Sequence, residues 1–147
     1  MSSPLLRLLR VAIDTNVFVE ALSRTSPYHA IYRGLLQGKF LLCISNEVWL
    51  EYEEVLTRLH RPEVVEVFLK FLLESPFIWF VSPTFRFNLI QTDPDDNKFV
   101  DCAIAAGADL LITNDTDFNV LKQIPFPKVH LMMPDEFIKE YLSESGH

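Results

Sequence analysis

Two stretches decide the fold, Val11-Ala-Ile-Asp-Thr-Asn16 and Leu110-Leu-Ile-Thr-Asn-Asp-Thr-Asp117. In each stretch, a short run of apolar residues leads directly into acidic, hydroxyl and amide side chains. The runs do not alternate between apolar and polar residues, which is typical of strands buried on both faces of a parallel sheet. Because ligands of such sheets collect beyond the carboxyl ends of the strands, the sequence predicts polar chemistry at this edge.

Strand-like runs and helical patterns alternate along the rest of the chain. Further strands are predicted at residues 40–44, 78–81 and 129–131. Apolar spacing, capping residues and prolines predict helices over residues 27–38, 47–59, 62–74, 98–106 and 134–142. The alternation predicts an α/β fold, a three-layer α/β/α sandwich with a central, mostly parallel sheet. Since no repeat or linker interrupts it, residues 1–147 are expected to form one domain with its core at about residues 10–142.

Composition excludes several classes of protein. Hydrophobic residues make up 49% of the 147 residues, yet no stretch approaches the ~20 apolar residues that cross a bilayer. A net charge of −7 repels nucleic acid on average, so any nucleic-acid role needs a local site. Two cysteines in apolar runs, Cys43 and Cys102, indicate a reduced, cytoplasmic chain. Arg7 and Arg10 interrupt the first apolar run, which makes it a poor signal peptide.

The helix predicted over residues 47–59 carries four acids, and Glu51 lies nearest its apolar side. That side is expected to be formed by Val48, Tyr52, Val55 and Leu59. The other three acids fit a solvated helix face: Glu47, Glu53 and Glu54. Glu51 is therefore the acid of this helix most suited to a site.

The segment that starts the next helix holds four further acidic positions of unequal interest. Helix structure alone explains Asp93 as the N-cap residue and Pro94 at the first helical position. The helix dipole stabilises the negative charge of Asp95. Asp96 instead continues the apolar stripe that packs on the sheet. Asp101 is expected on the opposite, more exposed side, and stays in reserve.

The acids that follow strands or begin helices form one candidate constellation. Its members are Asp14, Glu51, Asp96 and Asp115, with Asp117 close behind. Helix capping is the structural alternative: Asp14, Thr15 or Asn16 could cap the helix that starts at Val17, and Asp115 or Thr116 could cap the next short helix. Two carboxylates 4 Å apart repel by about 4 kcal/mol at an effective dielectric near 20, so a cation or protonation is needed. An all-oxygen ligand set favours Mg²⁺ or Mn²⁺, admits Ca²⁺ and disfavours Zn²⁺.

Other catalytic chemistries fit the sequence poorly. The chain has four glycines and lacks the GxGxxG, P-loop and GxSxG motifs. An aspartyl phosphatase with Asp14 as nucleophile stays open, but Asn16 stands where its general acid would be. The histidines show no ligand spacing and are expected at the surface or its boundary: His29, His60, His130 and His147.

In order and spacing, these motifs resemble the PIN-domain nucleases from about Arg10 to Leu142. The resemblance rests on Ile13-Asp14-Thr15-Asn16, on Ser45 followed by Glu51, on Asp96-Asn97, and on Thr113-Asn114-Asp115-Thr-Asp117. Met133-Pro-Asp-Glu-Phe137 is similar to the ending of the bacterial branch of toxins from toxin-antitoxin pairs. Asn114 departs from the Gly or Arg of many relatives.

The resemblance implies a site and an activity. Asp14, Glu51, Asp96 and Asp115 would be the acidic metal site, and Asn16, Thr113 and Asp117 would support it. With Mg²⁺ or Mn²⁺, such a site would hydrolyse phosphodiesters in single-stranded RNA and leave 5′-phosphate and 3′-hydroxyl ends. A small antitoxin protein and a homodimer are the implied partners. The alternative is a catalytically silent PIN-like module that binds RNA or protein.

Two sets of residues outside the acids could serve substrate or partners. Candidate phosphate contacts are Arg58, His60, Arg61 and Lys98, for which ordinary solvated charge is the alternative. The aromatic-rich region from Phe68 to Phe87 is expected to be core, with a groove or a dimer surface as alternatives. Its first part belongs to a helix whose apolar stripe is expected to be Val64, Val67, Phe68, Phe71 and Leu72.

Overall fold

A five-stranded parallel sheet forms the centre of the protein. The computed structural model describes residues 7–143. The strands are β1 (Leu9–Ile13), β2 (Phe40–Ile44), β3 (Ile78–Phe80), β4 (Leu110–Ile112) and β5 (Leu131–Met132). They lie in the order β3-β2-β1-β4-β5, and every neighbouring pair is parallel. Since the chain order reverses at β1, the crevice between the carboxyl ends of β1 and β4 is the expected ligand position.

Helices cover both sides of this sheet, which confirms the predicted α/β/α sandwich. They are α1 (Thr15–Ala21), α2 (His29–Leu36), α3 (Asn46–Leu59), α4 (Pro62–Leu73), α5 (Asn97–Ala106) and α6 (Pro134–Phe137), which continues as a π-helical turn over Ile138–Leu142. Two 3₁₀ helices span Pro94–Asp96 and Thr116–Gln123. No helix within residues 7–143 is long and apolar enough to cross a membrane.

Local sequence signals explain where these helices begin and end. Ser45 caps α3, because its hydroxyl accepts a hydrogen bond from the Val48 N–H. Pro94 begins its 3₁₀ helix behind Asp93, as predicted. Gly107 ends α5 with a φ of 59°, a left-handed conformation that glycine adopts without steric cost.

The three central strands carry the core, and their side chains are fully buried at Val11, Leu42 and Leu111. Because both faces of these strands are covered by helices, the apolar runs need no polar alternation. The last strand begins at Leu131, two residues later than predicted. This edge strand is short, and its side chains are only half-buried, so its pattern is weak.

The prediction for the apolar stripe of α4 was wrong at three positions. The helix buries Val65, Leu69 and Leu72, whereas Val67 is 70% exposed and Phe71 is 50% exposed. Val64 is also exposed. The helix is apolar on more than one side, so spacing alone does not identify the side that packs. In α3, similarly, the buried residue of the last turn is Leu56, and the expected Leu59 is exposed.

Most aromatic side chains of the region from Phe68 to Phe87 are exposed, contrary to the expectation that the region is core, although Phe68 and Phe77 pack against the core. Phe80 is 47% exposed and Phe85 is 69% exposed. Trp79 lies under the guanidinium of Arg10, 3.9 Å from its ring centroid. These side chains lie on the edge strand β3 and on the irregular connection that follows it.

Two polar residues of α5 hold that connection against the domain. The Asn97 side chain accepts a hydrogen bond from the Ile90 N–H at 2.9 Å and donates one to the Ile90 carbonyl at 2.8 Å. Asp101 accepts from the Phe87 N–H at 3.2 Å. The expectation that Asp101 is exposed was therefore wrong: it is buried, because the connection folds over its side of α5. Burial raises the pKa of Asp101.

Replacing Asn97 with Ala should destabilise the protein by about 2–4 kcal/mol, since it leaves two buried backbone groups of Ile90 without partners. Urea unfolding of the two variants Asn97→Ala and Gln91→Ala measures this difference. Gln91 is an exposed neighbour on the same connection, so its replacement should stay within about 0.5 kcal/mol. Equal unfolding midpoints for both variants would contradict the anchoring role.

Candidate metal centre

The carboxyl ends of β1 and β4 open into a cavity of about 350 Å³ whose walls are acidic. The cavity is lined by all four acids of the predicted constellation: Asp14, Glu51, Asp96 and Asp115. Asp93, Asp95 and Glu54 add further carboxylates, and Asn16 and Arg58 also line it. These residues come from β1, α3, the start of α5 and the end of β4, so the fold brings together parts of the chain that are far apart in sequence.

Asp14 is buried at the centre of this edge. Its side chain accepts a hydrogen bond from the Val17 N–H at 3.0 Å, so it caps α1 as the structural alternative proposed. Its other carboxylate oxygen accepts from the Thr113 hydroxyl. Burial raises the pKa of Asp14, and the charges of Asp115 and Glu51 raise it further against these two hydrogen bonds. Capping and membership of the acidic cluster thus coexist in one residue.

Thr113 ties the ends of the two central strands together. While its hydroxyl donates to Asp14, the same oxygen accepts from the Asp115 N–H at 3.0 Å. Asp115 in turn accepts from the Asp117 N–H at 2.9 Å and caps the 3₁₀ helix that follows β4. This chain of hydrogen bonds orients Asp115 beside Asp14.

Glu51 enters the cavity from α3 with partners already in place. Its carboxylate accepts hydrogen bonds from the Thr15 hydroxyl and from the Lys98 ammonium, each at 2.5 Å. Burial would lower the pKa of Lys98, but the hydrogen bond and charge of Glu51 raise it. Lys98 therefore faces an acid rather than solvent. The ion pair of Lys98 with Glu51 and the hydrogen bond from Thr15 to Glu51 are tertiary contacts that no local motif indicates.

Asp96 has a carboxylate oxygen whose hydrogen-bonding capacity is not satisfied within residues 7–143. Its Oδ2 atom is buried and makes no hydrogen bond within residues 7–143. Burial raises the pKa of Asp96 to about 7, and the nearby charges of Asp93, Asp115, Asp14 and Asp117 contribute. A buried carboxylate oxygen without a partner is costly unless a proton or a cation satisfies it.

Asp96 belongs to a group of three carboxylates that lie close together. One oxygen each from Asp93, Asp96 and Asp117 lies within 4.8 Å of the others. Hard oxygen ligands at this spacing fit a divalent ion such as Mg²⁺, Mn²⁺ or Ca²⁺. Sequence reasoning left Asp93 out, because a capping role explained it, and its side chain does accept a hydrogen bond from the Asp95 N–H at 3.2 Å. Only the position of the 3₁₀ helix after β4 brings Asp117 to it.

Tyr52 supports the site from beneath. It is fully buried in α3, next to Glu51, and its hydroxyl donates to the carbonyl of Ile13, the residue before Asp14. Its ring stacks on Phe18 of α1 with centroids 4.0 Å apart. Burial raises the pKa of Tyr52 well above its ordinary value, so the hydroxyl stays a donor. Tyr52 thus sets the distance between α3 and the end of β1.

The remaining predicted residues lie at the rim or elsewhere. Asn16 is exposed, and so is Arg58. His60 lines a separate groove between α2 and α4, and Arg61 is exposed at the start of α4. His29 and His130 lie at the boundary and surface, as predicted, and His147 lies outside the described residues.

Comparison with known proteins identifies the class. The sequence pattern of the PIN domain matches residues 10–117. Uncharacterized protein MJ1680 of Methanocaldococcus jannaschii is 30% identical over 152 residues, which covers 90% of this chain and 92% of that protein. The chain therefore belongs to the PIN domain family.

Solved structures share the fold at lower identity. VapBC2 from Rickettsia felis, bound to a promoter DNA fragment, aligns with a TM-score of 0.60 at 22% identity over 85% of this chain and 98% of that chain. FitAcB from Neisseria gonorrhoeae aligns with a TM-score of 0.58 at 16% identity, over 84% and 97%. The PIN domain endonuclease Utp24 aligns with a TM-score of 0.50 at 19% identity, over 84% of each chain.

Replacing Tyr52 with Phe should destabilise the protein by about 1–3 kcal/mol, because the buried carbonyl of Ile13 loses its donor while the ring stack remains. Tyr141→Phe is the matched control, since Tyr141 is exposed on the C-terminal turn. Thermal or urea unfolding measures both variants. An unchanged midpoint for Tyr52→Phe would argue against Tyr52 as the link between α3 and β1.

Proposed function

We propose that this protein is a divalent-metal-dependent ribonuclease that hydrolyses phosphodiester bonds in single-stranded RNA. The observation that carries the proposal is the buried, unpartnered oxygen of Asp96 among carboxylates from four parts of the chain. Membership of the PIN domain family supports it. A bound Mg²⁺ or Mn²⁺ would supply an activated water and offset negative charge on the phosphate.

The proposed ligands are Asp14, Glu51, Asp96 and Asp115, with Asn16, Thr113 and Asp117 in support. The close approach of Asp93 and Asp117 to Asp96 adds these two as candidate ligands. Thr113 would hold Asp14 in one orientation, and Thr15 and Lys98 would do the same for Glu51. These contacts would preorganise the carboxylates, so that little rearrangement is needed when a cation binds.

Charge is the second requirement of this function. The chain carries a net charge of −7, and the cavity concentrates acids, so RNA needs local cations. Arg58 lines the cavity and is a proposed phosphate contact. Lys98 is held by Glu51, and we expect it to lower the repulsion between the cavity and an incoming phosphate.

A toxin role and partners belong to the same proposal. The fold is shared with VapBC2 and FitAcB, and the exposed apolar side chains of α4 are suited to a small antitoxin protein. A homodimer stays a prediction. Cys43 and Cys102 are both unpaired and buried, which is compatible with the expected reducing cytoplasm.

Cleavage of labelled single-stranded RNA by the purified protein should require Mn²⁺ or Mg²⁺ and stop in EDTA. Asp14→Asn should lower the rate at least about 100-fold, because the neutral amide binds a cation weakly. Asp135→Asn is the matched control, since Asp135 is exposed at the start of α6, and its rate should be unchanged. Cleavage that ignores both EDTA and Asp14→Asn would reject the proposal.

Calorimetric titration with Mn²⁺ tests the metal centre without relying on activity. Asp96→Asn should weaken binding about 10–100-fold, whereas Asp135→Asn should not. A stable fold with no saturable binding at millimolar Mn²⁺ would favour the catalytically silent module instead. Trapping of Asp14 by beryllofluoride would favour the aspartyl phosphatase.

A further inference from the structure

A second, smaller cavity adjoins the acidic one. It measures about 170 Å³ and shares Asp115 with the acidic cavity. One wall is the 3₁₀ helix Thr116–Gln123, and the opposite wall is the end of β5 and the start of α6. We call it the lateral groove.

The 3₁₀ geometry builds a polar row along this groove. A 3₁₀ helix has three residues per turn, so side chains three positions apart lie above one another. Thr116, Asn119 and Lys122 are spaced in this way, and all three line the groove. Phe118 and Leu121 are buried, on the side of the helix that packs on the core. In an α-helix the same residues would drift around the axis and would not form a row.

The row has free hydrogen-bonding capacity. Within residues 7–143, the side chains of Asn119 and Lys122 make no hydrogen bond or ion pair. Asn119 offers both an amide donor and an acceptor, and Lys122 offers a full positive charge. Both residues are exposed, and no structural role consumes them.

The opposite wall is formed mainly by methionine side chains. Met132 and Met133 line it, and Met133 is 48% exposed. Glu136 also lines this wall, but its carboxylate already accepts from the Met133 N–H at 3.3 Å. A polarisable thioether surface facing an amide and a cation matches the parts of a nucleotide, namely an aromatic face, a hydrogen-bonding edge and a phosphate.

We propose that the lateral groove binds a nucleotide that flanks the cleaved phosphodiester of single-stranded RNA. Lys122 contacts a phosphate, Asn119 contacts the edge of the base, and Met133 packs on its face. This assignment rests on the proposed function. The groove is smaller than the roughly 300–1,000 Å³ of pockets that bury drug-sized ligands, so it would contact parts of a single nucleotide rather than enclose a larger ligand.

Fluorescence anisotropy of a short labelled RNA over a range of salt concentrations tests the groove. The full chain with Asp14→Asn and Mn²⁺ serves as the parent, so that RNA is not consumed. Adding Lys122→Ala should weaken binding, and the slope of log affinity against log salt should fall by about 0.7, the value for one contact to a single strand. Adding Asn119→Ala should weaken binding about 3–10-fold and leave the slope unchanged.

Lys70→Ala is the matched control, because Lys70 is exposed on α4, outside the groove. Its affinity and salt slope should equal those of the parent. Crosslinking of RNA that carries 4-thiouridine, followed by mass spectrometry, should label the peptides that contain residues 116–123 or 131–136. Circular dichroism of each variant verifies that the fold is retained.

The outcomes separate this proposal from the nuclease itself. If the parent binds RNA, and Lys122→Ala and Lys70→Ala behave alike, the groove assignment is overturned while RNA cleavage by the wild-type chain is unaffected. If the wild-type chain fails to cleave but RNA binding depends on Lys122, the nuclease proposal fails, and the groove is supported as a site that binds RNA but not as one that flanks a cleaved bond. Failure of the parent to bind RNA overturns the groove assignment.

Discussion

The hydrogen bond from Thr113 to Asp14 is the contact on which the site depends. It joins the carboxyl ends of β1 and β4, next to the backbone hydrogen bond from the Asp14 N–H to the Ile112 carbonyl at 3.1 Å. Through Thr113 the same link reaches the backbone of Asp115. Two acids that follow separate strands are thereby held side by side, on a part of the sheet whose close packing resists rearrangement.

Holding carboxylates together in this way lowers the free energy of unfolding, and contacts elsewhere in the fold have to compensate for that loss. Burial and mutual repulsion raise the pKa of both Asp14 and Asp96. Lys98 pairs with Glu51 and offsets part of the negative charge of the cavity. The core of β1, β2 and β4, with the hydroxyl of Tyr52 on the Ile13 carbonyl, offsets that repulsion. Strain of this kind is typical of functional sites, where charge is concentrated before a ligand arrives.

The surface around the acidic edge divides into regions of different chemistry. The lateral groove lies beyond Asp115 and is lined by an exposed lysine and an exposed amide. Exposed apolar side chains of α4 lie on another helix, beside a groove lined by Arg24, Arg33 and His60. A chain with a net charge of −7 can therefore still present cations locally, which is where recognition of an anion has to occur.

The sequence by itself determined the layer architecture, the buried strands and the cap at Asp93, because each follows from local periodicity or backbone preference. It also singled out Asp14, Glu51, Asp96 and Asp115, since each lies where a strand ends or a helix packs. Only the tertiary structure decided that Asp93 and Asp117 join Asp96, that Lys98 pairs with Glu51, and that Asp101 is buried. The tertiary structure also decided which side of α4 is exposed. Contacts between residues that are distant along the chain are not encoded in local spacing. Local spacing also does not decide which of two apolar faces of one helix is buried.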